Sequence, residues 1–227
     1  MNRSENTIST LFFDLDGTLT DPREGITRCL QYGLEQLGRP FPPQADLVQY
    51  IGPPLRWTYP QLLGTDDAEL VDEAIRHYRR RFVDIGLFEN QVYAGIPELL
   101  DGLQGDGYDH YVVTSKPTVY ADRIISHFGL DRYFVATFGP ELNGNFDDKT
   151  ELIAHILTER GLKPQQTVMI GDRASDIVAG KANATHTLGV TYGFGDLEEL
   201  TAAGSDSICH RPADIRQALT NDKKSPS

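Results

Sequence analysis

The segment FFDLDGTLTD places two carboxylates, Asp14 and Asp16, two residues apart directly after a short apolar run rich in β-forming residues. In extended backbone the side chains of residues i and i+2 point to the same side, so one carboxylate can attack an electrophile while the other trades protons. Gly17 permits a sharp exit that brings backbone N–H groups near both, and Thr18 can anchor that turn. At average residue usage, the fixed letters of DxDGT arise by chance in on the order of one chain in a few hundred. The bland alternative is an acidic turn at a strand end.

Two further apolar runs end in groups suited to phosphate or metal. YVV is followed by Thr114, Ser115 and Lys116, and VMIG is followed by Asp172. Hydroxyls at such a position donate hydrogen bonds to phosphoryl oxygens, aided by N–H groups of a following helix; a plain strand-end cap before Pro117 is the competing reading. Asp176 stands four residues after Asp172, a spacing that lets two carboxylates face one another at a helix start, where acids also serve simply as caps. Lys149 opens a helix, a place mildly unfavourable to a cation. A surface lysine is its ordinary reading, and Lys116 competes with it as the cation of the site. Arg173 divides evenly between substrate binding and pairing with surface acids.

In order, FFDLDGTLTD, VVTSK, DDKTELI and MIGDRASD resemble the four motifs of the haloacid dehalogenase-like hydrolase superfamily, over nearly the whole chain. IGPPL, NGNFDDKTELI, GDRASDIVAGKAN and GVTYGFGDLEEL are similar to bacterial phosphoglycolate phosphatase-like members. The resemblance implies a magnesium-dependent phosphohydrolase. Asp14 would be the nucleophile that becomes an aspartyl phosphate, Asp16 the proton shuttle, and Lys149 the countercharge. Mg²⁺ would be held by the Asp14 carboxylate, the Asp16 backbone carbonyl and Asp172, with Asp176 acting directly or through water. Thr114 and Ser115, with Lys116, would bind the phosphoryl group. The leading substrate is a small phosphorylated metabolite of phosphoglycolate type; nucleoside monophosphates, phosphotyrosine and sugar phosphates follow. A phosphomutase on the same core, a non-enzymatic phospho-acceptor switch and an inactive binding module are the competing functions.

These residues need a framework that gathers strand ends. Short apolar strands alternating with helices after Tyr93 predict a doubly wound parallel sheet, an α/β core in which ligands sit at the C-terminal strand ends. Expected strands lie in TISTLFFDLDG, YDHYVVTSK, YFVATFG, QTVMIGD, HTLGVTYG and SICH. Expected helices cover 96–103, 118–128, 149–160, 175–183 and 214–219. Residues 22–90 carry no strand pattern, and helices are expected at 24–37, 44–50, 55–63 and 67–84. This all-helical insertion resembles a C1-type cap, which leaves 1–21 and 91–227 as the core domain. Hinges are expected at 21–24 and 89–94, with the insertion acting as a mobile lid. Within it, IGPPLRW suggests a loop facing the active site, where Arg56 would meet a second anionic group; a helix-breaking turn with Trp57 in the core is the alternative. Tyr78 and Phe82 read as core contacts beside the solvated run HYRRR.

With 21 basic and 33 acidic residues among 227, the net charge of −12 repels phosphate backbones and argues against nucleic-acid binding. Cys29 and Cys209 lack metal-ligand spacing and read as buried free thiols. The N-terminus lacks the apolar stretch of a secretory signal, and no run approaches a membrane span, so no membrane partner and a cytoplasmic location are expected. Monomer and homodimer are both compatible with the sequence, and the polar tail NDKKSPS reads as frayed.

Overall fold

A computed structural model describes residues 7–142 and 144–222; the tail NDKKSPS lies largely outside them. The chain divides into two compact units, one running to Thr20 and resuming at Val92, the other spanning Asp21–Gln91.

The first unit is an α/β layer structure. Strands β1 (Thr10–Phe13), β4 (Asp109–Val113), β5 (Ala136–Phe138), β6 (Thr167–Gly171), β7 (His186–Val190) and β8 (Ser207–Cys209) form one sheet in the order β5-β4-β1-β6-β7-β8. Every pairing in it is parallel. Helices α5 (Ile96–Gly105), α6 (Thr118–His127), α7 (Lys149–Glu159), α8 (Ala174–Ala182), α9 (Leu197–Ala202) and α10 (Pro212–Asp222) alternate with the strands. The middle strands are buried along their length, as a sheet covered on both faces requires. Phe12, Tyr111, Val113 and Met169 pack on Leu152, Ile153 and Ile156 of α7 and on Ala179 of α8.

Register decides what the fold does. Phe13 pairs with Val112 on one side and with Ile170 on the other. The residues leaving β1, β4 and β6 therefore emerge level with one another at the C-terminal edge of the sheet, and the Asp14 N–H still donates to the Ile170 carbonyl at 2.9 Å.

The second unit is helical, with α1 (Arg23–Gln36), α2 (Gln44–Leu47), α3 (Leu55–Leu63) and α4 (Ala68–Arg81). Its core joins Cys29, Leu30 and Leu34 to Tyr59, Val71, Ala74, Ile75 and Tyr78. Tyr78 and Phe82 are buried and stacked at 5.4 Å. Asp67 caps α4 by accepting from the Glu69 N–H at 3.0 Å, and Arg79, Arg80 and Arg81 close its last turn, an order of charge that suits the helix dipole. Glu89 locks the unit's end. It accepts from Arg81 at 2.6 and 3.0 Å and from Arg28 at 2.7 Å. The crossings between the units are strands of two residues each, β2 (Thr20–Asp21) and β3 (Gln91–Val92), paired as a small sheet.

Several elements differ from the sequence expectation. The helix expected over 67–84 ends at Arg81 and passes into a π-helical turn, Phe82–Gly86. Gly86 lies against Cys29 so closely that a side chain there would overlap its sulfur, and this packing overrides the helical periodicity. The helix expected over 44–50 is α-helical only to Leu47 and continues as a 3₁₀ turn, Val48–Tyr50. HTLGVTYG is strand only through Val190, and α9, whose six residues give no clear apolar period, was not expected. Trp57 is not a core residue; it is 54% exposed.

Candidate active site

Asp14 follows the last residue of β1 and is buried. Gly17 turns the chain with φ +88°, and a side chain at that position would overlap the Asp172 carboxylate. The glycine thus supplies both a left-handed turn and a close approach between the ends of β1 and β6. Thr18 Oγ1 lies 3.5 Å from Asp172 Oδ1.

The carboxylates of Asp14, Asp172 and Asp176 converge, with one oxygen of each within 4.8 Å of the others, and all three residues are buried. Lys149, at the first position of α7, is buried rather than on the surface. Its Nζ donates to Asp14 Oδ1 at 3.0 Å and to Asp176 Oδ1. Burial works against its charge, but Asp14 and Asp176 outweigh it and hold the ammonium protonated well above an ordinary lysine. Its place at a helix start is offset by these acids and by Asp148, which caps α7 by accepting from the Thr150 N–H at 2.6 Å.

Burial raises the pKa of the Asp172 carboxyl, and neighbouring Asp14 and Asp176 raise it further. Burial also pushes Asp176 up to about 6, against the pull of Lys149. Three carboxylates facing one ammonium leave an excess of hard oxygen donors of the kind a small divalent cation takes. Asp176 also accepts from the Arg173 N–H at 3.0 Å, so one carboxylate caps α8 and faces the cluster.

Asp14 and Asp16 address different cations. Lys116 Nζ lies 2.7 Å from Asp16 Oδ1 and 2.5 Å from Oδ2. Burial raises the Asp16 pKa, Lys116 opposes the rise and Asp14 adds to it. Thr114 is buried and its Oγ1 accepts from the Lys116 N–H at 3.2 Å, which leaves the hydroxyl hydrogen to donate elsewhere; Ser115 is exposed. Of its two readings, Arg173 takes up the acid pairing, with Nε 2.9 Å from Glu199 Oε1 on α9. Arg56 belongs to the helical unit, where it pairs with Asp72 at 2.7 Å.

One loop at this site has no role that the sequence motifs assign. Residues 191–195, TYGFG, follow β7. The Phe194 N–H donates to Asp172 Oδ2 at 2.8 Å and the Tyr192 hydroxyl to the Thr18 carbonyl at 3.0 Å. A side chain on Gly193 would overlap the Gly17 carbonyl and Asp172, and one on Gly195 would overlap the Asp172 carbonyl. Two glycines flanking an aromatic residue after an apolar strand were the available signal, yet nothing local says which carboxylate such a loop will touch.

A parallel α/β sheet with an acid-rich cluster at its central strand ends places the candidate site where doubly wound sheets bind their ligands. Residues 11–190 match the model of the haloacid dehalogenase-like hydrolases, and the chain belongs to that family. It is 48% identical over 209 residues to a 5'-nucleotidase of Pseudomonas aeruginosa, covering 92% of this chain and 94% of that protein. It is 33% identical over 212 residues to the tyrosine-protein kinase PtkA of Mycobacterium tuberculosis, covering 92% of this chain and 72% of that one. A crystal structure described as a predicted phosphatase from Clostridium acetobutylicum superposes with a TM-score of 0.88 at 37% identity, covering 95% of this chain and 99% of that one. Family and relatives make the chain a phosphatase of the haloacid dehalogenase-like type. Among the described residues, no helix is long and apolar enough to cross a membrane.

Proposed function

We propose that the chain hydrolyses small phosphomonoesters in two steps through a phosphoryl group carried on Asp14, with Mg²⁺ as cofactor. The convergence of Asp14, Asp172, Asp176 and Lys149 carries this reading. In the first step an Asp14 oxygen attacks phosphorus, the ester P–O bond breaks, and Asp16 gives a proton to the departing oxygen. In the second, Asp16 takes a proton from the water that attacks the phospho-aspartate, which releases phosphate and restores Asp14. Splitting one displacement into two lowers each barrier. Lys149 supplies positive charge beside the nucleophile and against the transferring group. Thr114 and Ser115 are the donors to the phosphoryl oxygens.

The Asp14, Asp172 and Asp176 carboxylates, with the Asp16 backbone carbonyl, would hold Mg²⁺. When bound, the ion neutralises the approach of a carboxylate to a phosphate dianion. Oxygen-only donors and their excess negative charge suit that ion.

For the substrate, a nucleoside 5'-monophosphate stands ahead of phosphoglycolate, because the relative that shares 48% identity over nearly all of both chains is named a 5'-nucleotidase. The test is phosphate release from a panel of nucleoside 5'-monophosphates, phosphoglycolate, sugar phosphates and phosphotyrosine, with Mg²⁺ and with EDTA. Asp14→Asn should abolish turnover on every substrate and EDTA should suppress it reversibly. Turnover by Asp14→Asn, or full activity in chelator, refutes the mechanism; a preference for phosphoglycolate reverses the substrate order alone.

A further inference from the structure

We propose that Lys116 is a positioning residue for proton transfer, clamping the Asp16 carboxylate rather than binding the substrate's phosphoryl group. The proposal rests on the reading of Asp16 as proton donor. Three observations carry it. The Lys116 ammonium meets both Asp16 oxygens, at 2.7 and 2.5 Å, a charge-assisted contact that anchors the carboxylate in place. The lysine side chain is only 7% exposed, so the contact is held in a confined space and not by a mobile surface arm. Its backbone is fixed from both sides. The Lys116 N–H donates to Thr114 Oγ1 at 3.2 Å, and Gly139 packs so tightly against the Lys116 carbonyl that a side chain there would overlap it.

The arrangement divides the two DxD carboxylates between two lysines, Asp14 with Lys149 and Asp16 with Lys116. A nucleophile and a proton donor two residues apart need different aims, and separate ammonium anchors on different elements give each its own. Proton transfer is steep in geometry, so an acid free to rotate out of line forfeits much of its effect. Asp16, at 17% side-chain exposure, has room to rotate once the clamp is gone.

A donor-positioning role shows itself in the leaving group. In the step that forms the Asp14–phosphorus bond, the departing oxygen of an alkyl phosphate needs the Asp16 proton as the P–O bond breaks, whereas 4-nitrophenolate leaves without it. The experiment compares kcat/KM, which reports that step, for an alkyl phosphate and for 4-nitrophenyl phosphate in the wild type, Lys116→Met, Lys116→Arg and Asp16→Asn. Lys116→Met should lose about 10²-fold on the alkyl ester and only a few-fold on the nitrophenyl ester, in parallel with Asp16→Asn. Lys116→Arg should recover most of the alkyl activity, because the guanidinium can also meet both oxygens. Equal losses on the two esters with a raised KM would mean that Lys116 holds the phosphoryl group, and no loss on either would mean that the clamp is idle; both overturn the proposal. Should Lys116→Met fail to fold by circular dichroism, the Arg variant and Lys116→Gln carry the same comparison. If Asp16→Asn lacks the leaving-group signature, Asp16 is not the donor and the proposal falls with that reading. If Asp16→Asn shows the signature and the Lys116 variants do not, the role of Lys116 alone is refuted.

Discussion

Replacing Lys149 with Met removes the ammonium at the centre of the acidic cluster while keeping most of the side-chain volume. The structure fixes the scale. Lys149 Nζ stands 3.0 Å from Asp14 Oδ1 in a site where its side chain is 5% exposed. At an effective dielectric of ~20 that contact amounts to roughly 5 kcal/mol of attraction. Three carboxylates with oxygens within 4.8 Å of one another are left facing each other when it is lost. Breaking a buried pair by removing one partner generally costs about 3–5 kcal/mol, because the remaining charges stay buried. Lys149→Met should therefore unfold at distinctly lower urea in EDTA, followed by circular dichroism. The same excess charge attracts a divalent cation, so millimolar Mg²⁺ should recover much of the loss; saturation at a hundred times the dissociation constant contributes about 2.7 kcal/mol. Catalysis should not recover with it. Without the ammonium against the transferring group, kcat/KM should stay down by about 10²- to 10³-fold at saturating Mg²⁺. A variant with wild-type stability in EDTA, or one whose stability ignores Mg²⁺, would refute the reasoning that these carboxylates form a cation site balanced by Lys149.

Gly193→Ala places a methyl group against the Gly17 carbonyl and Asp172; overpacking of this kind costs about 1–3 kcal/mol, and titration calorimetry should show weakened Mg²⁺ binding because Asp172 is pushed aside. His110, packed between Phe13 and Phe134, has its pKa pushed down to about 4 by burial. The unfolded chain then binds the extra proton first, so stability is lost as pH falls from the unfolded value of about 6.5 toward 4, by up to about 3 kcal/mol. His110→Leu should flatten that slope in urea melts at pH 7 and pH 5, and an unchanged slope would count against the assignment. Glu89 is held below the ordinary glutamate range chiefly by its hydrogen bonds from Arg81. Its contribution is complete above an unfolded pKa of about 4.3 and disappears as pH falls through the lower folded value. Glu89→Gln should cost about 1–3 kcal/mol at pH 7, and the cost should shrink as the pH is lowered below the unfolded value, a trend that thermal melts over a pH series will read.

Much of this could be read from the chain itself where the governing physics is local. The apolar run ending at Asp14, the alternation of strands and helices after Tyr93, and the caps and charge order of α4 depend on neighbours a few residues apart. So does the positive φ at Gly17, because a glycine after an acidic strand end announces a turn. Boundaries shifted where packing overrode periodicity, as at the π-helical turn beside Cys29 and at Val190, where β7 ends before TYGFG.

The ordered motifs sufficed to name the candidate groups: a carboxylate nucleophile, its acidic partner, a basic residue and a late acidic pair. Which group meets which was settled by tertiary structure. Lys116 and Lys149 compete as cations in the sequence, and the fold gives Asp16 to one and Asp14 with Asp176 to the other. The TYGFG loop carried no role until its N–H and hydroxyl groups came to rest on Asp172 and Thr18. Three of these pairings, Lys116 with Asp16, Lys149 with Asp14 and Tyr192 with Thr18, join residues 100, 135 and 174 positions apart. They depend on strand order and register, which set Phe13 level with Val112 and Ile170, and no short window of sequence contains that geometry.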